Sequence, residues 1–219
     1  MKLWKNTKNG RTPMVNSRVG VLNLANTNTR PLLSSIQKLG YQVVDISESE
    51  QISNCDKIIL PGVGNIEKVL KDLDDRNFRE KLQNHIRHGK FILGICLGLQ
   101  ILTLHSEESV SATTLGVLPV QVSRLIPNKN KGIKVPHIGW NQVQQKSESP
   151  IFDGLSNGSN FFFSHSYAVY LIDENALGVT EHDKNFVSII NYENIFGFQF
   201  HPEKSQKNGM QILKNFCSL

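Results

Sequence analysis

Short apolar runs alternate with amphipathic stretches through the first half of the chain. Val19-Gly20-Val21-Leu22 is an unbroken apolar run, the pattern of a strand buried on both faces. Pro31 to Leu39 has helical spacing, with a proline near its start and Gly40 just past its end. Tyr41-Gln42-Val43-Val44 and Asp56-Lys57-Ile58-Ile59-Leu60 read as second and third strands. Asn77 and Glu80 have capping-box spacing, which predicts a helix from there to His88. Phe91 to Ile95 reads as a fourth strand and Leu97 to His105 as the helix behind it. Strands alternating with helices predict a parallel sheet covered on both faces.

The second half changes period. Val117–Arg124, Asn160–Phe163, Ala168–Ile172, Val187–Asn191 and Ile195–Phe200 read as strands with few helices between them. Tyr192-Glu193-Asn194 has the composition of a hairpin turn. A last helix is expected from about Gly209 to Phe216. The expected fold class is therefore α/β, an open mixed, largely parallel sheet flanked by helices. Ligands in such sheets sit beyond the carboxyl ends of the parallel strands.

Composition narrows this picture modestly. At 219 residues, 39% hydrophobic and 20% charged, the chain has the profile of one soluble domain. No apolar run approaches the ~20 residues of a membrane span, so no membrane partner is expected. The net charge of +5 is unevenly spread. Residues 1–44 carry seven basic residues and no acid, leaving seventeen basic against nineteen acidic in the rest. The excess belongs to the amino-terminal part and is a poor argument for nucleic acid. Residues 1–17 lack a signal-peptide core and read as an N-terminal extension to a domain spanning 18–219. Cysteines at 55, 96 and 217 form no close pair and no metal-type spacing, which fits free thiols in a cytoplasmic protein. Neither a metal nor a cofactor is expected.

The candidate chemistry centres on Cys96. It lies in Gly94-Ile95-Cys96-Leu97-Gly98, directly after an apolar strand and before a helix. Glycines permit a sharp turn there, which leaves the thiol at its tip, a setting suited to a nucleophilic sulfur. A lone cysteine is more often a small hydrophobe, and Cys55 and Cys217 are read that way. His201 ends the last strand, and Glu203 follows across Pro202, close enough to orient the imidazole. Acyl transfer also needs oxyanion donors. The backbone N–H of Leu97 and the glycine loop Pro61-Gly62-Val63-Gly64, through Val63 and Gly64, are the candidates.

Together, Leu60-Pro61-Gly62-Val63-Gly64, Gly94-Ile95-Cys96-Leu97-Gly98-Leu99-Gln100 and His201-Pro202-Glu203-Lys204-Ser205 resemble the class I glutamine amidotransferases, a flavodoxin-like group. Val135-Pro136-His137-Ile138-Gly139-Trp140-Asn141 and His165-Ser166-Tyr167 are similar, more narrowly, to the glutaminase subunits of imidazole glycerol phosphate synthases. The resemblance covers roughly residues 18–219 and implies a Cys96, His201, Glu203 triad that hydrolyses L-glutamine. It implies that Gln100, His165, Ser166 and Tyr167 hold the substrate. It also implies that Pro136, His137, Ile138, Gly139 and Trp140 face a partner. That partner would be a (βα)₈-barrel cyclase, joined as a heterodimer, which receives ammonia and makes imidazole glycerol phosphate and AICAR in histidine biosynthesis. The family's usual Asp-Tyr-Gly-x-Gly-Asn turn is replaced here by Asn23-Leu24-Ala25-Asn26-Thr27-Asn28. Three other readings stay open: the same glutaminase feeding another synthase such as a sugar-aminating one, another cysteine hydrolase, or a non-catalytic relative.

Overall fold

The computed structural model describes residues 17–25, 27–109 and 111–219. Of the expected extension, residues 1–16 lie outside the described residues. Ser17 is buried, and its hydroxyl accepts from Lys57 Nζ at 3.3 Å.

The strands are β1 (Arg18–Leu22), β2 (Gln42–Ile46), β3 (Lys57–Leu60), β4 (Phe91–Ile95), β5 (Thr103–Ser106), β6 (Leu118–Arg124), β7 (His137–Gln145), β8 (Ser159–His165), β9 (Tyr167–Ala168), β10 (Ala176–His182), β11 (Lys184–Tyr192) and β12 (Ile195–Phe198). The helices are α1 (Arg30–Lys38), α2 (Ile66–Asp75), α3 (Phe78–Arg87), α4 (Leu97–Leu102) and α5 (Gln206–Ser218). Nine strands form one sheet in the order β2-β1-β3-β4-β12-β11-β10-β7-β8. The pairs from β2 to β12 are parallel, and those from β12 to β8 are antiparallel. A small second sheet joins β5, β6 and β9.

Period-two alternation sorts the core into two layers. Ile58, Leu60 and Ile92 point to one face, where Val69, Leu70 and Leu73 of α2, Leu82 of α3 and Leu99 of α4 meet them. Ile59, Leu93 and Ile95 point to the other face, against Leu32 and Ile36 of α1 and Ile212, Leu213 and Phe216 of α5. Phe161, Phe163, Phe196, Phe198 and Phe200 extend this second layer under the antiparallel strands.

Several element boundaries differ from the sequence reading. The helix start expected at Asn77 is not capped by that side chain. Asn77 sits in the left-handed region at φ 55° and joins α2 to α3, a conformation asparagine tolerates. The expected helix is α3, which does begin directly after Asn77. Before it lies α2, a helix the reading omitted, capped by Asn65, whose side chain accepts from Lys68 N. The helix after Cys96 stops at Leu102 rather than His105, because Thr103 Oγ1 donates to Gln100 O at 2.7 Å and β5 pairs with β6. The strand expected over 168–172 is only β9, and Leu171 and Ile172 are exposed. β7 and β10 were not anticipated. The hairpin at 192–194 is present, with Tyr192 opposite Ile195.

Candidate active site

The strand order carries β12, the last strand of the chain, into the sheet beside β4. Phe198 stands opposite Ile95, and Cys96 N donates to Phe198 O at 2.7 Å. The residues just past each strand, Cys96 and His201, thereby reach the same carboxyl end of the sheet.

Cys96 has φ 49° and ψ −101°. A side chain rarely takes this conformation, and holding one there costs about 1–3 kcal/mol. Tight packing by glycines holds the turn in place. A Cβ on Gly94 would meet the Gly98 carbonyl at 2.5 Å, and one on Gly98 would meet Leu60 O at 2.2 Å. One on Gly62 would come within 1.9 Å of Ile95 O and 2.8 Å of Cys96 Cβ. The Pro61–Gly64 loop therefore lies directly against the Cys96 turn, with Val63 half-buried and Gly64 exposed at φ 137°.

His201 is 1% exposed. Its backbone N–H donates to Phe162 O at 2.9 Å, and its carbonyl accepts from Ser205 Oγ at 2.6 Å. The same Ser205 hydroxyl accepts from Phe162 N, so β8 fixes this segment. His201 Nδ1 meets Glu203 Oε1 at 2.8 Å, and the ring lies near enough to the Cys96 side chain to feel its charge. Burial alone would lower the His201 pKa. The interactions with Cys96 and Glu203 outweigh it and push the pKa up to about 10. The structure thus brings Cys96, His201 and Glu203 into one chain of contacts.

Gln100 is buried one helical turn beyond Cys96. Its Oε1 accepts from Ser106 Oγ at 2.6 Å, and its Nε2 donates to Glu108 Oε2 at 2.8 Å. Burial raises the Glu108 pKa, and the Gln100 hydrogen bond partly offsets this. Sequence reasoning missed Glu108, which lies in a loop with no motif of its own. It also missed Gln199, whose Nε2 lies 3.7 Å from Cys96 Sγ, and the Ser164 carbonyl, 3.7 Å from the same sulfur. No sequence signal points to Gln199; it is the register of β12 against β4 that places it there.

The remaining expected residues separate by strand alternation. The His165 ring is buried and engaged at both nitrogens, by Tyr167 O at 2.8 Å and His137 Nδ1 at 3.0 Å. Burial pushes its pKa down to about 3. Ser166 and Tyr167 are half-buried, and Ser166 O accepts from Leu125 N. The 137–140 stretch belongs to a strand, so its side chains do not share one surface. His137 turns inward and stacks on His182 at 4.1 Å, whereas Ile138 and Trp140 are 64% and 49% exposed. Phe162 packs edge-on to Trp140, and Lys204 lies over the Phe162 ring. Among the described residues no group of three or more His, Cys, Asp or Glu is arranged to hold a metal, and no helix is long and apolar enough to cross a membrane.

The fold has solved counterparts. A crystal structure of a glutamine amidotransferase superposes with a TM-score of 0.72 at 18% identity, covering 90% of this chain and 96% of that one. The structure of PurLQS from Thermotoga maritima gives the same score and identity, covering 92% and 97%. At that identity the likeness concerns the fold. Sequence relatives are nearer. The imidazole glycerol phosphate synthase subunit HisH of Aquifex aeolicus is 41% identical over 91% of this chain and 95% of its own length. That of Pyrococcus furiosus is 45% identical over 79% and 87%. Residues 21–218 match the profile described as glutamine amidotransferase class-I, and with these relatives it shows that the chain belongs to the class-I glutamine amidotransferase family.

Proposed function

We propose that the chain is the glutaminase subunit of an imidazole glycerol phosphate synthase, with Cys96, His201 and Glu203 as its catalytic residues. The contact of Cys96 with His201, itself held by Glu203 at 2.8 Å, is the observation that carries this reading. The Cys96 sulfur attacks the side-chain amide carbon of L-glutamine. Leu97 N–H and a peptide of the Val63–Gly64 loop stabilise the oxyanion. His201 gives its proton to the amide nitrogen, ammonia leaves, and a glutamyl thioester remains. His201 then takes a proton from water, which attacks the thioester and releases glutamate and free Cys96. Glu203 keeps the imidazole oriented and stabilises its charged form.

Glu108 and Gln100 supply a polar end to the substrate site. A half-buried carboxylate there suits the α-ammonium of an amino acid. In this reading the half-buried Ser166 and Tyr167, just after β8, hold the rest of the substrate. Ile138 and Trp140, with Phe162 and Lys204 behind them, form an exposed apolar face with a cationic edge. This face docks the (βα)₈-barrel partner, which takes the ammonia through a channel and makes imidazole glycerol phosphate and AICAR. Three free, buried thiols suit work in the cytoplasm.

The test is a glutaminase assay with and without a barrel subunit loaded with its own substrate, comparing wild type with Cys96→Ala. The reading requires glutamate release that needs Cys96 and rises when the loaded partner binds. A glutaminase rate unaffected by Cys96→Ala, or equal with and without the loaded partner, would contradict it. A second reading keeps the glutaminase and changes the acceptor. The Asn23–Asn28 turn favours it: Leu24 N donates to Thr27 Oγ1 and Ala25 N to Asp72, in place of the family's glycine turn. Stimulation by a barrel from another pathway, and not by the histidine-pathway cyclase, would decide for it.

A further inference from the structure

We infer that Gln199 is an auxiliary residue of the nucleophile, whose side-chain amide donates a hydrogen bond to the Cys96 sulfur and stabilises its charged, attacking form. Gln199 is fully buried, and its backbone N–H donates to Ser188 O at 3.0 Å. It follows Phe198, whose carbonyl holds the Cys96 amide. The backbones of the two residues are therefore held side by side, Cys96 by its bond to β12 and Gln199 by its bond to β11. Nε2 lies 3.7 Å from Sγ, while Oε1 is buried with no protein donor among the described residues. A buried carbonyl left unpaired is costly. Turning the amide over would present Oε1 to the sulfur, and a thiol is only a weak donor, whereas a thiolate only accepts. The observed orientation offers the sulfur a donor.

The other groups facing this sulfur are His201, from the segment after β12 with Glu203 behind it, and the Ser164 carbonyl from β8. His165, behind Ser164, is held neutral by burial. Ser164 O cannot stabilise negative charge, so the groups that can are His201 and Gln199. This inference rests on Cys96 being the nucleophile, and the experiment separates the two claims.

The full-length chain is treated with iodoacetamide across a pH series, and labelling is read at each cysteine by peptide mass. Cys55 and Cys217 are buried, their thiols raised by burial to about 11 and about 12, and give little background. Gln199→Met, similar in volume but without a donor, is expected to label about tenfold more slowly at Cys96 at neutral pH, with its profile displaced to higher pH. An unchanged profile in a folded variant overturns the inference and leaves the glutaminase reading intact. If wild-type Cys96 labels no faster than Cys55 or Cys217, both fall. The wild-type chain supplies a measurement that does not depend on the variant folding. The Gln199 side-chain amide protons should shift in NMR spectra when Cys96 is alkylated, and static signals overturn the inference.

Discussion

Glu203 Oε1 lies 2.8 Å from His201 Nδ1, with only Pro202 between the two residues. The Pro202–Lys204 stretch is a single 3₁₀ turn, which folds the carboxylate back onto the ring of its near neighbour. The pair is thus local in sequence, made by one turn of the chain. Glu203→Gln keeps the shape and removes the charge that orients an imidazolium. Glutaminase kcat in the partner complex should fall by about 10²–10⁴-fold. A loss below threefold would remove Glu203 from the mechanism.

Gly62 tests the loop. An alanine there would press its Cβ to within 1.9 Å of Ile95 O, so the loop or the nucleophile turn must move. Gly62→Ala should lower glutamine turnover by at least about 10²-fold, the usual effect of losing an oxyanion donor. Steady-state kinetics beside a thermal melt would show whether activity falls in a chain that is still folded.

The Gln100–Glu108 contact predicts a split between kinetic constants. Glu108→Gln removes the charge proposed to meet the substrate ammonium but keeps a partner for Gln100. KM for glutamine should rise about 10- to 100-fold, with a smaller change in kcat. An unchanged KM would place the ammonium elsewhere.

Trp140 is half-exposed on β7 and packs only edge-on to Phe162. Trp140→Ala should weaken binding of the proposed barrel partner by at least about tenfold, as loss of an aromatic anchor does. Partner-free glutamine hydrolysis should not change. Calorimetric titration of the two subunits measures the first and the glutaminase assay the second.

Three buried histidines predict acid sensitivity. Burial lowers the pKa of His85 to about 4, of His137 to about 4 and of His165 to about 3. Unfolding returns each to its ordinary 6.5, so between pH 6.5 and 4 the unfolded chain binds protons that the folded chain refuses. Their stabilising contribution is complete above pH 6.5 and is lost as pH falls toward the folded values. Each histidine adds a slope of ~1.4 kcal/mol per pH unit. Urea unfolding at pH 7, 6 and 5 should show the decline, and a flat stability would contradict it.

Much of this protein is written in short stretches of its sequence. The apolar runs at 19–22, 57–60 and 91–95, the glycine-framed cysteine turn and the His201-Pro202-Glu203 turn depend on neighbours in the chain, and each forms where expected. α2 was legible too, since Ile66, Val69, Leu70 and Leu73 share one face and Asn65 caps it. The spacing of Asn77 and Glu80 marked the start of α3 correctly, but drew attention away from the helix before it. β7 and β10 were harder, because bulges and half-buried polar positions blur their alternation.

Tertiary structure alone decided that Gln199, 103 positions beyond Cys96, lies against its sulfur. It also decided that Glu108 meets Gln100, and that His137 turns inward while Ile138 and Trp140 face out. The sequence specifies backbone conformation and which residues are apolar, because these depend on local sterics and solvation. Which strand lies beside which is settled by the pairing of the whole sheet. Placing β12 next to β4 is what gathers the separate motifs into one site.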